Sequence, residues 1–145
     1  MNVQRNTKNR NSQWPAALAL CAALTLVGGA WAQTKVVFQV SDNDPVKWNL
    51  TLNNVLNVQV DLGEDKVIAE IVVYGPGIAM LKAGSPVADR VAEALGRKVQ
   101  VVACQNTMQA MKLVDADMLP KIGIVPAGVV ELIQRQGAGY AYIKP

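Results

Sequence analysis

The strongest constraint on this chain is a rhythm of short runs dense in Val and Ile, each apolar on both faces, separated by stretches with helical spacing. Lys35 to Val40 (KVVFQV), Lys66 to Tyr74 (KVIAEIVVY) and Lys98 to Ala103 (KVQVVA) are the clearest runs. A strand exposed to water on one side alternates apolar with polar residues, whereas one buried on both sides reads as continuous β-branched sequence. Such strands alternating with helices predict a mostly parallel sheet covered on both faces, a three-layer α/β/α sandwich.

The intervening segments carry the punctuation that this architecture needs. Asp44-Pro45 supplies an N-cap and a first-turn proline for a helix running to about Asp61 and stopped by Gly63, with Trp48, Leu52, Val55 and Leu56 on its apolar face. Gly75-Pro76-Gly77 breaks the second strand, a helical segment follows around Ile78 to Lys82, and Ser85-Pro86 opens a helix ended by Gly96. Asn106 or Thr107 is expected to cap a helix through Val114, with Pro120 closing the connection that contains Asp115 and Asp117. Ile122 to Val125 reads as a short strand, Ala127 to Gln136 as a helix ended by Gly137, and Tyr140 to Ile143 as a last, edge strand. In sheets of this class, sites form beyond the carboxyl ends of the strands. Those ends are Ser41 to Asp44, Gly75 to Gly77 and Cys104 to Thr107.

Charge bears on the choice of partner. The 145-residue chain carries a net charge of +3, which would suggest an anionic partner, but the surplus is Arg5, Lys8 and Arg10. After Ala32 the chain holds 11 basic and 11 acidic residues, so a folded basic patch for nucleic acid loses its support. Those three cations precede the apolar run Ala16 to Val27 and the small-x-small triplet Ala30-Trp31-Ala32, the three parts of a secretory signal. The run is 12 residues long, short of the roughly 20 that a spanning helix requires. Residues 1–32 are therefore expected to be a cleavable signal peptide and 33–145 a single exported domain, periplasmic in a Gram-negative host and free of the membrane after cleavage. Cleavage removes Cys21 and leaves Cys104 as the one thiol, without a disulfide partner. The chain has no His, which excludes His-based acid–base chemistry and His-ligated metals.

Cys104 is the one strong nucleophile of the expected domain, and it stands at a strand-to-helix junction. Amides of Gln105 to Thr107, the Thr107 hydroxyl or the Asn106 side chain would stabilise its thiolate. With no general base at hand, exchange at sulfur suits such a thiol better than acyl transfer. The alternative is an inert core cysteine ending the run Val101-Val102-Ala103-Cys104. Gly75 and Gly77 give either a turn that a ligand can approach or simply a sharp strand exit. Asp42 and Asp44 lack the other oxygen ligands of a calcium loop and are read as turn and cap residues. Asn49, Asn53 and Asn57 make an amide stripe that is either a ligand or subunit contact or a solvated face. Met108 and Met111 read as core or interface filling rather than metal ligands. No metal-ligand set or cofactor motif emerges.

Several stretches in order then carry a resemblance: Asp44-Pro45-x-Lys47-Trp48-Asn49-x-x-Leu52-Asn53-Asn54, Tyr74-Gly75-Pro76-Gly77, Ala103-Cys104-x-Asn106-Thr107-Met108, Val125-Pro126-Ala127-Gly128-Val129-Val130-Glu131-Leu132 and Gln136-x-x-Gly139-Tyr140-Ala141-Tyr142-Ile143. Together they resemble the exported branch of the DsrE/DsrF-like family. The resemblance implies a DsrEFH-like α/β/α fold with a five-stranded, mainly parallel sheet, assembled as homo- or hetero-oligomers such as trimers and hexamers. It also implies a Cys in the Cys104 loop that accepts sulfane sulfur as a persulfide and passes it on. The segment Cys104-Gln105-Asn106-Thr107-Met108 departs from the residues found after the relay Cys in the cytoplasmic members. Two functions are expected to compete: a periplasmic persulfide carrier working through Cys104 with a small sulfur donor or a thiol protein, its pocket shaped by Gly75, Gly77, Asn106 and Thr107, or a non-catalytic oligomeric module that binds a small ligand and uses Cys104 structurally. Asp44 and Asn49 join the candidate pocket.

Overall fold

In a computed structural model, the described residues are Met1 and 33–145. Residues 2–32 of the expected leader, Cys21 among them, fall outside them. Five strands, β1 (Thr34–Val40), β2 (Val67–Val73), β3 (Gln100–Cys104), β4 (Gly123–Val125) and β5 (Ala141–Ile143), form one sheet in the order β4-β3-β2-β1-β5. Every neighbouring pair is parallel; Val37 lies opposite Glu70, Val73 opposite Ala103 and Cys104 opposite Val125. Both edge strands are three residues long, which limits the unpaired backbone open to another chain.

Four α-helices make the connections: α1 (Pro45–Leu62), α2 (Ala88–Gly96), α3 (Gln105–Ala110) and α4 (Gly128–Gly137). From β1 to β4 the chain steps one strand at a time in one direction, and α1 and α2 pack on the same face. The β4-to-β5 connection runs back across the whole sheet. With crossovers of constant hand, reversing direction places α4 on the opposite face. The resulting layers are unequal. Phe38, Ile71, Val101 and Ala103 of the sheet meet Trp48, Leu52 and Val55 of α1, Val91 of α2, and Ile78, Met80 and Leu81 in a core of twenty-one buried apolar residues. Under α4 the buried apolar cluster consists of Val37, Val72, Val102 and Leu132.

The local reasons match the sequence in most places. Asp44 caps α1 by accepting from the Val46 amide at 2.8 Å, and Gly63 ends the helix with φ 95°. The Gly75-Pro76-Gly77 turn does not stand apart from the segment after it: Gly75–Leu81 is one continuous 3-10 helix packed into the larger core. The helix after β3 begins at Gln105, so Cys104 and not Asn106 or Thr107 takes the N-cap position, and it ends at Ala110, short of Val114. Met111 closes it with its amide on Thr107 O, and Lys112 then turns with φ 55°. Asp117 accepts from the Val114 amide at 2.8 Å, which forms a separate 3-10 turn at Asp115–Asp117. Met108 is buried in the core, whereas Met111 is exposed. Among the described residues, no helix is long and apolar enough to cross a membrane.

Candidate functional site

Cys104 ends β3 with its side chain on the α4 face, because residues two apart on a strand share a face and Val102 belongs to the cluster under α4. Only 5 % of the residue is exposed. Two chain segments bring donors to the sulfur: the start of α3, with the amides of Asn106 and Thr107 and the Thr107 hydroxyl, and the start of α4, with the amide of Gly128. Burial pushes the thiol up, and these donors outweigh it, the Thr107 hydroxyl most and then the amides of Gly128, Thr107 and Asn106, so the thiol ionises below its ordinary range. Thr107 is oriented for this. Its Oγ1 accepts the Gly75 amide at 3.0 Å, which leaves the hydroxyl proton free for the sulfur. The Asn106 amide also donates to Pro126 O at 3.2 Å, which ties the start of α3 to the loop before α4.

The structure thus gathers Cys104, Thr107, Asn106 and Gly75 from the residues singled out in the sequence. Gly77 contributes differently: its amide donates to Ser41 O at 3.0 Å, and a Cβ there would stand 2.8 Å from Val40 O and 3.0 Å from two Ser41 backbone atoms. The turn needs glycine at Gly77 so that two backbones can touch, and the amides of Gly75 and Gly77 are both engaged within the chain. Asp44 is occupied in capping α1. Asn49 and Asn53 each accept from the Arg90 guanidinium, so these two residues of the amide stripe bind α2 to α1 on the face away from the thiol, while Asn57 is exposed. Asp42 pairs with Lys47 at 2.8 Å, which holds its carboxyl below the usual range.

Three groups at this face escaped the sequence reading. Tyr74, the residue after β2, packs on Gly128: a Cβ on Gly128 would lie 3.0 Å from Tyr74 Cβ and 3.1 Å from its Cδ1. Burial, with Tyr142, Asp42 and Cys104 nearby, raises the Tyr74 phenol and keeps it neutral. Gly128 is the residue whose missing side chain lets the α4 amide reach the thiol. The third is an ionic cluster under α4. Glu70, in the middle of β2 with no exposed surface, faces Arg135, whose Nε also lies 2.8 Å from Glu131 Oε1. Neither Glu70 oxygen nor Arg135 Nε is aligned for a hydrogen bond. Burial pushes Glu70 up to about 7, Arg135 opposing and Glu131 adding to the shift. The sequence signal was present: one carboxylate inside KVIAEIVVY requires a buried partner, and Glu131 with Arg135 at i, i+4 on an amphipathic helix could supply it. Among the described residues, no group of three or more Cys, Asp or Glu is arranged to hold a metal ion.

Comparison with known proteins places the fold. Residues 34–145 match the sequence profile of the DsrE/DsrF-like family. The structure of MTH1491 from Methanobacterium thermoautotrophicum, described as a protein of unknown function, is 34 % identical with a TM-score of 0.74, over 78 % of this chain and 100 % of that one. BT1422 from Bacteroides thetaiotaomicron (13 % identity, TM-score 0.63, 77 % of this chain and 94 % of that one) and the ychN protein from E. coli (12 %, 0.63, 78 % and 99 %) share the fold. No curated protein matches the chain.

Proposed function

Since the chain belongs to the DsrE/DsrF-like family, we propose that it handles sulfane sulfur through Cys104, as an exported, periplasmic persulfide carrier. The observation that carries the reading is the thiol itself, drawn below its ordinary range at the end of a central strand by the Thr107 hydroxyl and by amides from two segments. The Cys104 thiolate attacks the outer sulfur of a polysulfide or persulfide donor. A new S–S bond forms to Cys104, the donor S–S bond breaks, and the donor leaves as a thiolate that takes up a proton. A second thiolate then attacks the outer sulfur of the Cys104 persulfide and returns Cys104 as thiolate, so no external oxidant or reductant enters the cycle. Thr107 and Gly128 stabilise sulfur anion at the start and at the end of that cycle. Export through residues 1–32 and assembly as a homo-oligomer, a trimer or hexamer, belong to the same proposal, and so does a small sulfur donor or thiol protein as partner.

The second reading, a ligand-binding module with a structural thiol, draws on the 5 % exposure of Cys104. Intact mass after incubation with polysulfide separates the two. The carrier gains sulfur on the parent and none on Cys104→Ser, and iodoacetamide labels the parent near pH 6. A thiol that labels only after denaturation, with no sulfur gained, leaves the structural reading.

A further inference from the structure

We propose that Glu70 is a proton-carrying positioning residue for Cys104: while it holds a proton, α4 stays seated over the thiol and labelling is slow, and when it loses the proton the first turn of α4 lifts and the sulfur becomes more readily reached. The inference rests on the reading of Cys104 as the reacting thiol, and its geometry is that of α4, which serves two sites at once. The first residue of this helix, Gly128, stands with its amide near enough to the sulfur to help draw the thiol down. One and two turns further on, Glu131 and Arg135 close over Glu70. A ten-residue helix without a break transmits a tilt from one site to the other.

Ionised Glu70 is poorly served where it lies. Two carboxylates then share one guanidinium, which leaves a net negative charge at a position with no exposed surface, and neither Glu70 oxygen has an aligned donor. A proton on Glu70 turns one oxygen into a donor toward Glu131, whose carboxylate keeps Arg135, and the cluster becomes neutral. The other groups around it do not alter that balance. From β3, the neutral Gln100 amide accepts from Arg135 at 3.4 Å; beside β5, the Tyr140 ring lies 5.4 Å from the guanidinium carbon; from β1, Lys35 reaches the Tyr140 ring and Ala138 O, while Val37 opposite Glu70 is apolar. The ionised cluster is relieved by admitting water, and α4 is the wall that can yield. It is held by a cluster of four buried apolar residues, where the opposite face has twenty-one. The rise of Glu70 to about 7 places the transition in the neutral range.

The test is the rate of iodoacetamide labelling of Cys104 in the whole protein between pH 5 and 9, divided at each pH by the thiolate fraction from ultraviolet absorbance. The parent is expected to show a further step of roughly tenfold near neutrality, well inside the few-hundredfold that its shift allows. Glu70→Gln should lack the step and remain at the slow, acid-side rate. Glu131→Gln, which removes the neighbouring carboxylate, should move the step to lower pH. Amide hydrogen exchange should follow the same step over residues 128–137 and not over α1. A flat parent profile, the same step in Glu70→Gln, or an unmoved step in Glu131→Gln overturns the proposal; if Glu70→Gln does not fold, the Glu131→Gln profile decides alone. The relay reading fails separately, if polysulfide adds no sulfur to a parent that still shows the step.

Discussion

The two faces of the sheet are built on different principles. The face under α1 and α2 is a deep apolar layer in which Phe38, Ile71 and Val101 lie fully or almost fully out of water. The face under α4 has a small apolar patch, a buried ion cluster and the thiol. Dispersion and the hydrophobic effect are non-directional and scale with area, so the first face tolerates little loss of volume and responds weakly to pH. Charge and hydrogen-bond donors are directional, so the second face gains chemistry at some cost in stability.

The largest effect expected is therefore on the deep face. Phe38→Ala should cost about 3–5 kcal/mol by urea denaturation, because the large core closes only partly around the void. Its effect should be nearly independent of pH between 5 and 8. A strong pH dependence in this variant would break the contrast between the faces.

Next comes Glu70→Gln, with an effect that depends on pH by construction. Glu70 is raised from the ordinary carboxylate value of 4.5 to about 7 in the folded protein. The folded state thus holds the proton more tightly than the unfolded chain, and its contribution is fully present below 4.5 and lost as pH rises through 7. Relative to the parent, Glu70→Gln should gain up to about 3 kcal/mol between pH 4.5 and 8, read from paired urea melts. A difference that does not grow with pH would mean that Arg135 fully compensates the buried carboxylate.

Gly128→Ala sharpens the link between packing and thiol on the same face. The added Cβ meets Tyr74 at 3.0 Å and pushes the start of α4 away from Cys104. A loss of about 1–3 kcal/mol is expected together with a higher thiol pKa, and Tyr74→Ala in the same chain should recover part of both. Thr107→Val is milder in stability, about 1 kcal/mol, because it leaves the Gly75 amide without its acceptor. It should nevertheless slow iodoacetamide labelling near pH 6 by removing the donor that acts most strongly on the sulfur.

The same contrast explains what could be read from sequence. The deep face was legible because β-branched runs and helical apolar spacing follow directly from burial, and they give the succession of strands and helices along the chain, though not the order of the strands across the sheet. The thin face was only partly legible. Cys104, Thr107 and Asn106 are neighbours in the chain, so their convergence could be foreseen, whereas the Gly128 amide arrives from the far side of β4 through a crossover that no local spacing records. Glu70 finds Arg135 across 65 positions of sequence for the same reason. The turn at Gly75 to Gly77 left two readings open, a ligand-approachable turn or a sharp strand exit, and tertiary contacts that engage both amides favour the second.

The smallest effect belongs to the amide stripe of α1, and it tests whether polar groups on the deep side do more than fasten helices together. Arg90 donates from its two terminal nitrogens to Asn49 and Asn53, with Asn53 2.6 Å away, and Asn49 also donates to Pro45 O at 2.9 Å. These bonds lie at the rim of the helix pair, where water can replace them. Asn49→Ala should then cost about 0.5–1 kcal/mol, with most of the loss absent when Arg90 is already Ala. Neither variant should change Cys104 labelling, since the stripe and the thiol lie on opposite faces of the sheet. A labelling change in Asn49→Ala would show that the deep layer transmits strain through the strands to Cys104, and the division of labour between the two faces would have to be redrawn.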